Sequence, residues 1–135
     1  DRGKALNMAD AYVVEKALRD GWLRIKEAPS IVLEISVQKG EETVISLAKS
    51  LNASFIIIDE VRGRRAAELL GLKPMGTVGI LLLALKSGLL DLDAFLNTLG
   101  MLAKSGFRLR QETYIHAVSE ARKIAKRELS KNSIR

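Results

Sequence analysis

Residues 40–65 constrain the fold of this chain more than any other segment. Their first half carries apolar residues at helical spacing, at Val44, Leu47, Ala48 and Leu51. Asn52 interrupts that pattern. The Phe-Ile-Ile-Ile run at residues 55–58 then has the unbroken, β-branched content of a strand that is covered on both faces. The segment therefore predicts an amphipathic helix followed by a buried strand, the alternation that is typical of an α/β fold.

Charged residues follow this predicted strand at once. Asp59 and Glu60 come at its carboxyl end, and three arginines stand shortly after them, at Arg62, Arg64 and Arg65. Ligands of open parallel sheets bind outside the carboxyl ends of the strands. Acidic and basic side chains together at that edge suit a metal-assisted phosphate site better than they suit a protein core.

Length and composition limit the alternatives. The chain has 135 residues, enough for one domain with a real core, and its 47% apolar content argues against extended disorder. The longest apolar run, residues 78–85, is too short to cross a membrane. The N-terminus opens with charge and has no apolar stretch, so no signal peptide is expected. The absence of cysteine excludes disulfides, thiolate metal ligands and cysteine nucleophiles, and indicates a reducing cytoplasm.

The net charge of +6 predicts a polyanionic partner such as a nucleic acid. Much of the excess positive charge lies in the C-terminal tail, at Arg122, Lys123, Lys126, Arg127, Lys131 and Arg135. The alternative is a solvated helix end, where cations are favoured by the negative pole of the helix dipole. Charge alone leaves both interpretations open.

The pattern near the N-terminus predicts one helix and one or two extended segments. Asn7 or Asp10 can cap a first helix that ends near Arg19. Its inward face is expected to hold Val13, Val14, Ala17 and Leu18. Residues 22–26 alternate like a strand with one polar face. Residues 31–37 remain open between a strand, a short helix and an extended connection.

Beyond the predicted strand, the chain reads as a helix, a last strand and another helix. The helix that follows Arg65 is expected to end at Gly71, a residue type that suits the C′ position. Residues 72–75 predict a short final strand. Thr77 is then expected to cap an apolar helix over residues 78–86.

Two further helices are expected at the C-terminus. One begins at Asp91 or Asp93 and ends before Gly106, and the other begins near Arg110. The order of elements predicts a single α/β domain over residues 1–135, with helices stacked on its C-terminal half.

Four motifs along the chain resemble the PIN-domain nucleases, and most closely a prokaryotic branch of PIN-like proteins. In order, they are Gly40-Glu41 at a helix start, Asp59-Glu60 after a strand, the arginines from Arg62 to Arg65 at the next helix start, and Gly76-Thr77-Val78-Gly79 at the start of an apolar helix. Gly21-Trp22 and residues 106–109 also fit the branch. The resemblance therefore covers most of the chain.

This resemblance implies a Rossmann-like, three-layer α/β/α sandwich in which a cluster of acids holds Mg²⁺ or Mn²⁺. In the family, that cluster cleaves RNA with a metal-activated water as the nucleophile. Glu41 matches the family's helix-borne acid and Asp59 matches the acid after the central strand, so these two are the implied catalytic residues and metal ligands. Glu60 is a further candidate ligand. The candidate phosphate contacts are Arg62, Arg64 and Arg65.

The chain departs from the family pattern at its start. PIN domains open with a hydrophobic strand that ends in an acid, whereas this chain begins at Asp1 without such a strand, and Asp10 and Glu15 are not substitutes for the family's first acids. Either the family's first strand and acids precede Asp1, or the protein has lost them. With Glu41 and Asp59 alone, a divalent ion is expected to be held weakly. An unpaired sheet edge is also expected, which favours a dimer or strand exchange.

The resemblance also implies partners, and two other functions remain open. Many small prokaryotic PIN proteins are toxins, so RNA and an antitoxin protein are the implied partners. One alternative is a catalytically weak or inactive PIN-like module that binds RNA or a protein. The other is an unrelated α/β module, such as a receiver-like domain with Asp59 at its strand end. A receiver needs a lysine after its last strand, and Lys73 is poorly placed for that role.

Each candidate residue also has a purely structural interpretation. Glu41 suits a helix start, where the dipole favours a carboxylate, and Asp59 and Glu60 suit the cap of the next helix. The arginines suit a solvated helix face. Thr77 is best explained as a helix cap, because no P-loop lysine follows it. His116, the only histidine, is expected on a half-exposed helix face, and zinc catalysis has no support.

Overall fold

The computed structural model describes residues 9–132, except for the side chains of residues 131 and 132. Within that range, six helices and two strands form an α/β arrangement that is rich in helix and contains a small parallel sheet. The elements are α1 (Ala9–Arg19), α2 (Lys39–Ser50), β1 (Ile56–Ile57), α3 (Val61–Leu69), β2 (Pro74–Met75), α4 (Thr77–Lys86), α5 (Leu92–Lys104) and α6 (Gln111–Asn132).

The sheet joins β1 to β2 in parallel, with α3 as the connection between them. Ile56 is opposite Pro74 and Ile57 is opposite Met75. The ladder continues one residue further, because the N–H of Ile58 donates to the carbonyl of Met75 at 3.0 Å. This pairing brings the carboxyl ends of the two strands to one edge, where residues 59 and 77 follow them.

The strand β1 is buried on one face only, so the predicted burial on both faces is wrong. Ile56 and Ile58 are 3% and 7% exposed, whereas Phe55 and Ile57 are 56% and 61% exposed. Ile56 and Ile58 join a core cluster with Ile45, Ala48, Ala66 and Ala67 of α2 and α3. Both helices therefore cover the same face. Among residues 9–132, the opposite face of β1 has no covering layer, because Phe55 and Ile57 point to solvent.

A second core cluster lies among α4, α5 and α6. Phe95 and Leu99 of α5 are fully buried there, against Leu85 of α4 and Ala117 and Ala121 of α6. Alanines on the inner face of α6 let the helices approach closely, since their side chains take little space. The prediction of helices stacked on the C-terminal half agrees with this arrangement.

The N-terminal region differs from the sequence prediction. Residues 22–26 form no strand, and Trp22 and Ile25 are 75% and 84% exposed. An alternating pattern makes a strand only when a neighbouring strand accepts its hydrogen bonds, and the described residues offer none here. In α1, Ala17 is buried, but Val13 and Val14 are exposed, contrary to expectation. Of the two expected helix caps, Asn7 lies outside the described residues.

Residues 31–37 adopt the extended connection that the sequence left open. Their burial alternates residue by residue, and Leu33, Ile35 and Val37 pack on the α2–α3 core cluster. The buried Ser46 of α2 donates its hydroxyl to the carbonyl of Pro29 and so anchors the start of this connection. The connection therefore starts beside the middle of α2, at Ser46, and ends at the N-terminus of that helix, at Lys39.

Several helix ends follow the expected residue chemistry. Asp91 caps α5, since its Oδ1 accepts the N–H of Ala94 at 2.7 Å, which decides between Asp91 and Asp93. Gly71, Gly88 and Gly106 follow helix ends with φ between 72° and 85°, a conformation that strains other residues. No helix within residues 9–132 combines the length and apolar character that a membrane crossing requires.

Candidate metal and phosphate site

Glu60 caps the N-terminus of α3. Its Oε2 accepts the N–H of Arg62 and the N–H of Gly63, the latter at 3.2 Å. This satisfies two of the backbone donors that a helix start leaves without partners. The other oxygen of Glu60 makes no hydrogen bond among the described residues. The structural interpretation of Glu60 as a cap is therefore correct, and it leaves part of the carboxylate available.

Glu41 lies in the first turn of α2, where its Oε2 accepts the N–H of Gln38 at 2.8 Å. The structural interpretation of Glu41 as a helix-start carboxylate is therefore also correct. Its carboxyl carbon would lie 3.3 Å from a Cβ placed on Gly63, and that Cβ would also clash with the side chain of Ile58. Gly63 therefore allows the start of α3 to approach both Ile58 and Glu41.

A cavity of about 420 Å³ joins Glu41 to Glu60. It is lined by Ser36, Val37, Gln38, Glu41, Glu60 and Arg62. The cavity lies at the N-terminus of α3, where the helix dipole favours negative charge. Two carboxylates and one guanidinium group thus face one solvent-accessible space, an arrangement suited to a cation and a phosphate together.

Asp59 is held at the start of α4. Its Oδ1 accepts the N–H of Thr77 at 2.8 Å, and its Oδ2 accepts the hydroxyl of Thr77 at 2.6 Å. The cap position itself is occupied by Gly76, so the prediction that Thr77 caps α4 is wrong by one residue. The hydroxyl of Thr77 is directed to the carboxylate of Asp59 rather than to its own helix. Asp59 does not line the cavity that contains Glu41 and Glu60.

The sheet register explains this pairing. Ile57 is opposite Met75, so Asp59 and Thr77, each two residues further on, leave the sheet at the same edge. Gly76 gives the carboxylate room, because a Cβ there would lie 2.9 Å from Oδ1 of Asp59. Nη1 of Arg64 would lie 3.5 Å from the same Cβ, so Arg64 also reaches the start of α4.

The three arginines of α3 have different surroundings. Arg62 lines the cavity with Glu41 and Glu60, and Arg64 lies near Asp59 and Gly76. Arg65 is exposed on the helix surface. The structure therefore brings two of the three predicted phosphate-contacting residues close to the predicted acids.

The donor set suits a hard divalent cation, with one restriction. Among residues 9–132, no group of three or more histidine, cysteine or acidic side chains is arranged to hold a metal ion. Glu41 and Glu60 nevertheless face one cavity, and Mg²⁺ in proteins is often held by one or two carboxylates together with waters and substrate phosphates. Asp59 accepts two hydrogen bonds, and a carboxylate has further lone pairs for a ligand.

Sequence reasoning missed two residues of this region, Thr77 and Gln38. Thr77 fixes the carboxylate of Asp59, and Gln38 fixes that of Glu41. The signal for Thr77 was present, because two predicted parallel strands that end in Asp59 and in Gly76-Thr77 place those residues at one sheet edge. Gln38 acts through its backbone N–H, and the signal for this contact was Glu41 three residues later, the N3 acid of a capping box.

The comparisons with known proteins agree with the motifs. The family model described as a PIN domain matches residues 1–123. No curated protein and no solved structure matches the chain. Because the family model spans most of the 135 residues, the resemblance inferred from the four motifs is confirmed, and this chain belongs to the PIN domain family.

Proposed function

We propose that this protein is a metal-dependent ribonuclease of the PIN type, with Glu41 and Asp59 as its catalytic carboxylates and Mg²⁺ or Mn²⁺ as its cofactor. The observation that carries this proposal is the cavity at the start of α3, which Glu41 and Glu60 line together with Arg62. Membership of the PIN domain family, whose members include nucleases, supports the reaction class.

Glu41 and Glu60 would hold the metal ion in the cavity that they share. Asp59 lies outside that cavity, and its proposed role as a third ligand rests on its match to the family motif. Each carboxylate is oriented by a backbone N–H or a hydroxyl, and such outer contacts are what fix ligating carboxylates in metal sites. A bound Mg²⁺ or Mn²⁺ would supply charge stabilisation at the phosphate and an activated water as the nucleophile.

The arginines would bind the RNA backbone. Arg62 faces the cavity and is positioned to contact the phosphate that is cleaved. Arg64 and Arg65 would contact neighbouring phosphates, since guanidinium groups bind phosphate oxygens in bidentate fashion. The positive charge of α3 offsets the repulsion between the carboxylates and a polyanionic substrate.

Cleavage of a mixed pool of single-stranded RNA with Mg²⁺ or Mn²⁺ tests this proposal. We expect cleavage by the natural protein, loss of cleavage in Asp59→Asn and in Glu41→Gln, and loss with EDTA. The matched control is Asp93→Asn, which removes an exposed acid from the first turn of α5. Equal cleavage by Asp59→Asn and the natural protein would contradict the proposed role of Asp59.

The second candidate function is a catalytically weak or inactive PIN-like module that binds RNA or a protein partner. It is favoured by the absence, among residues 9–132, of a group of three side chains arranged to hold a metal ion. Binding of the RNA pool without cleavage at any concentration of Mg²⁺ or Mn²⁺ would support this candidate over the nuclease.

We also propose that residues 1–135 act as one cytoplasmic PIN-type domain of three layers, with a second copy completing the third layer in a dimer. The support is the uncovered face of β1, where Phe55 and Ile57 are exposed. If the protein is a toxin, as its branch implies, an antitoxin protein would cover that face instead. Light scattering on the purified chain tests the second copy, since a dimer supports it and a monomer contradicts it.

A further inference from the structure

A groove of about 410 Å³ runs along the outer face of α6, far along the chain from the acidic site. Its apolar part consists of Tyr114, Ile115 and Val118. Its basic part consists of Arg122, Lys123 and Lys126. All of these residues belong to α6. Tyr114 lies at one end of the groove, and the three cations follow further along the helix.

Most residues of the groove are exposed, although Val118 also packs on the core cluster of the helical layer. Ala117 and Ala121, on the inner face of α6, are 1% and 0% exposed, whereas Ile115 is 59% exposed. The outer face of α6 is thus a mixed apolar and basic surface without a partner among the described residues.

Two of the three cations are free to bind a ligand. Lys123 donates to Glu120 at 2.7 Å, and this ion pair keeps the pKa of Glu120 below its ordinary value. Neither Arg122 nor Lys126 forms an ion pair among the described side chains. The positive charge of the groove therefore resides mainly on Arg122 and Lys126, which are one helical turn apart.

The packing of α4 on α6 relates the position of the groove to that of Asp59, because the start of α4 holds Asp59. A separate cavity of about 730 Å³ brings the end of α4, at Lys86, beside Ile124 and Leu129 in the second half of α6. The end of α4 therefore lies beside the second half of α6, and Val78, which follows Thr77 at the start of α4, packs on the core cluster that contains Ala117. Thr77 holds Asp59, and the groove begins at Tyr114, three residues before Ala117. It then runs about 18 Å to Lys126, at about 1.5 Å per residue.

We propose that this groove binds single-stranded RNA on the path to or from the acidic site, with Arg122 and Lys126 on the phosphates and Tyr114 under a base. Single-stranded nucleic acids are typically bound by cations that follow the backbone and aromatic rings that stack on bases. A membrane-surface helix needs a continuous apolar face, and Arg122 and Lys126 interrupt the exposed apolar residues here. The choice of RNA as the polyanion rests on the proposed function.

The test measures binding of a labelled mixed-sequence RNA oligonucleotide to the whole chain in EDTA, where cleavage does not interfere. The test variant is Arg122→Ala/Lys126→Ala. The matched control is Lys86→Ala/Lys104→Ala, which removes two exposed lysines from the last turns of α4 and α5. Circular dichroism checks that each variant folds, and all four substituted side chains are exposed.

We expect the test variant to bind RNA about tenfold more weakly at low salt and to lower the salt slope by about 0.7 for each phosphate that the protein no longer neutralises. The control should stay within about twofold of the natural protein. Tyr114→Leu should also weaken binding, while Tyr114→Phe, which keeps the ring, should not. An equal reduction of binding in the test variant and the control would overturn the proposal.

Two further probes test whether the groove prefers RNA to other polyanions. One variant tests whether RNA binding is independent of cleavage. Binding of polyglutamate or of vesicles with anionic lipid as tightly as RNA would overturn the proposal. The groove would then bind any polyanion without selecting RNA. Asp59→Asn should keep full RNA binding whether or not it removes cleavage. A protein that binds RNA through the groove yet never cleaves it would contradict the nuclease and leave this inference intact.

Discussion

The α/β half and the helical half of this molecule bury their apolar side chains to different extents. In the helical half, α4, α5 and α6 enclose Phe95 and Leu99, which are both 0% exposed. In the α/β half, α2 and α3 cover only one face of β1, and Phe55 and Ile57 on the other face are more than half exposed.

The candidate site lies in the less enclosed half. Glu41, Asp59 and Glu60 stand at helix starts and at a strand end, where carboxylates can accept backbone hydrogen bonds and still reach solvent. The helical half contributes Thr77, the first residue of α4, which holds Asp59. The closed helical layer therefore supports the position of Asp59, while the open α/β layer carries the candidate carboxylates.

The largest effect is expected in the closed core of the helical half. Phe95→Ala should lower the free energy of unfolding by about 3–5 kcal/mol, because it removes a buried ring and leaves a cavity. Leu89→Ala, at a position that is 80% exposed, should change it by less than about 0.5 kcal/mol. Urea denaturation measures both. Similar decreases for the two variants would mean that the helical layer is less closed than the structure indicates.

Substitutions at two neighbouring residues of β1 test whether the second face of that strand is uncovered. Ile56→Ala should lower the free energy of unfolding by about 2–4 kcal/mol, since Ile56 packs on α2 and α3. Ile57→Ala should change it by less than about 1 kcal/mol in dilute solution. The same denaturation curves compare the two. If the destabilisation in Ile57→Ala rises with protein concentration, the exposed face is covered by a second copy.

Substitutions of two carboxylate caps, one in each half, distinguish an effect on stability from an effect on RNA cleavage. Glu60→Ala and Asp91→Ala should each lower the free energy of unfolding by about 1 kcal/mol, because each removes a side chain that accepts helix-start N–H groups. Only Glu60→Ala should also reduce metal-dependent RNA cleavage. An equal reduction of cleavage in Asp91→Ala would indicate that loss of stability, not loss of a ligand, lowers the activity.

The smallest effect is expected on the surface of the helical half. Lys123, by hydrogen bond and charge, keeps the pKa of Glu120 below its ordinary value of 4.5. A carboxyl group with a lowered folded-state pKa contributes stability that is full above pH 4.5 and is lost as the pH falls through the lowered value. Glu120→Gln should therefore flatten the pH dependence of thermal unfolding below pH 4.5.

Sequence reasoning predicted most elements of the fold but misjudged burial. The spacing of apolar residues predicted that α2 exists but not which face it buries, since Val44 and Leu51 are exposed and Ile45 is fully buried. The glycines located several helix ends. The run at residues 55–58 is apolar throughout. Composition alone does not distinguish a strand that is buried on both faces from an equally apolar strand that is buried on one face. The alternation at residues 22–26 failed for a similar reason, because a strand exists only where another strand pairs with it.

The candidate site was predicted as a set of residues and not as an arrangement. Asp59 and Glu60 are adjacent in the chain, yet Glu60 faces the cavity at α3, whereas Asp59 turns to α4. A one-residue step around a helix start sends neighbouring side chains in different directions. The roles of Glu41, Asp59 and Glu60 as metal ligands remain predictions.

The sequence by itself determined the family, the order of the elements and the acids and arginines that follow β1, because these depend on residue type and spacing along the chain. Only the tertiary structure decided that Glu41 shares a cavity with Glu60 and that Asp59 is held by Thr77. It also decided that one face of β1 stays open. These features depend on the register of β1 with β2 and on the close approach at Gly63, which bring together residues that are far apart in sequence.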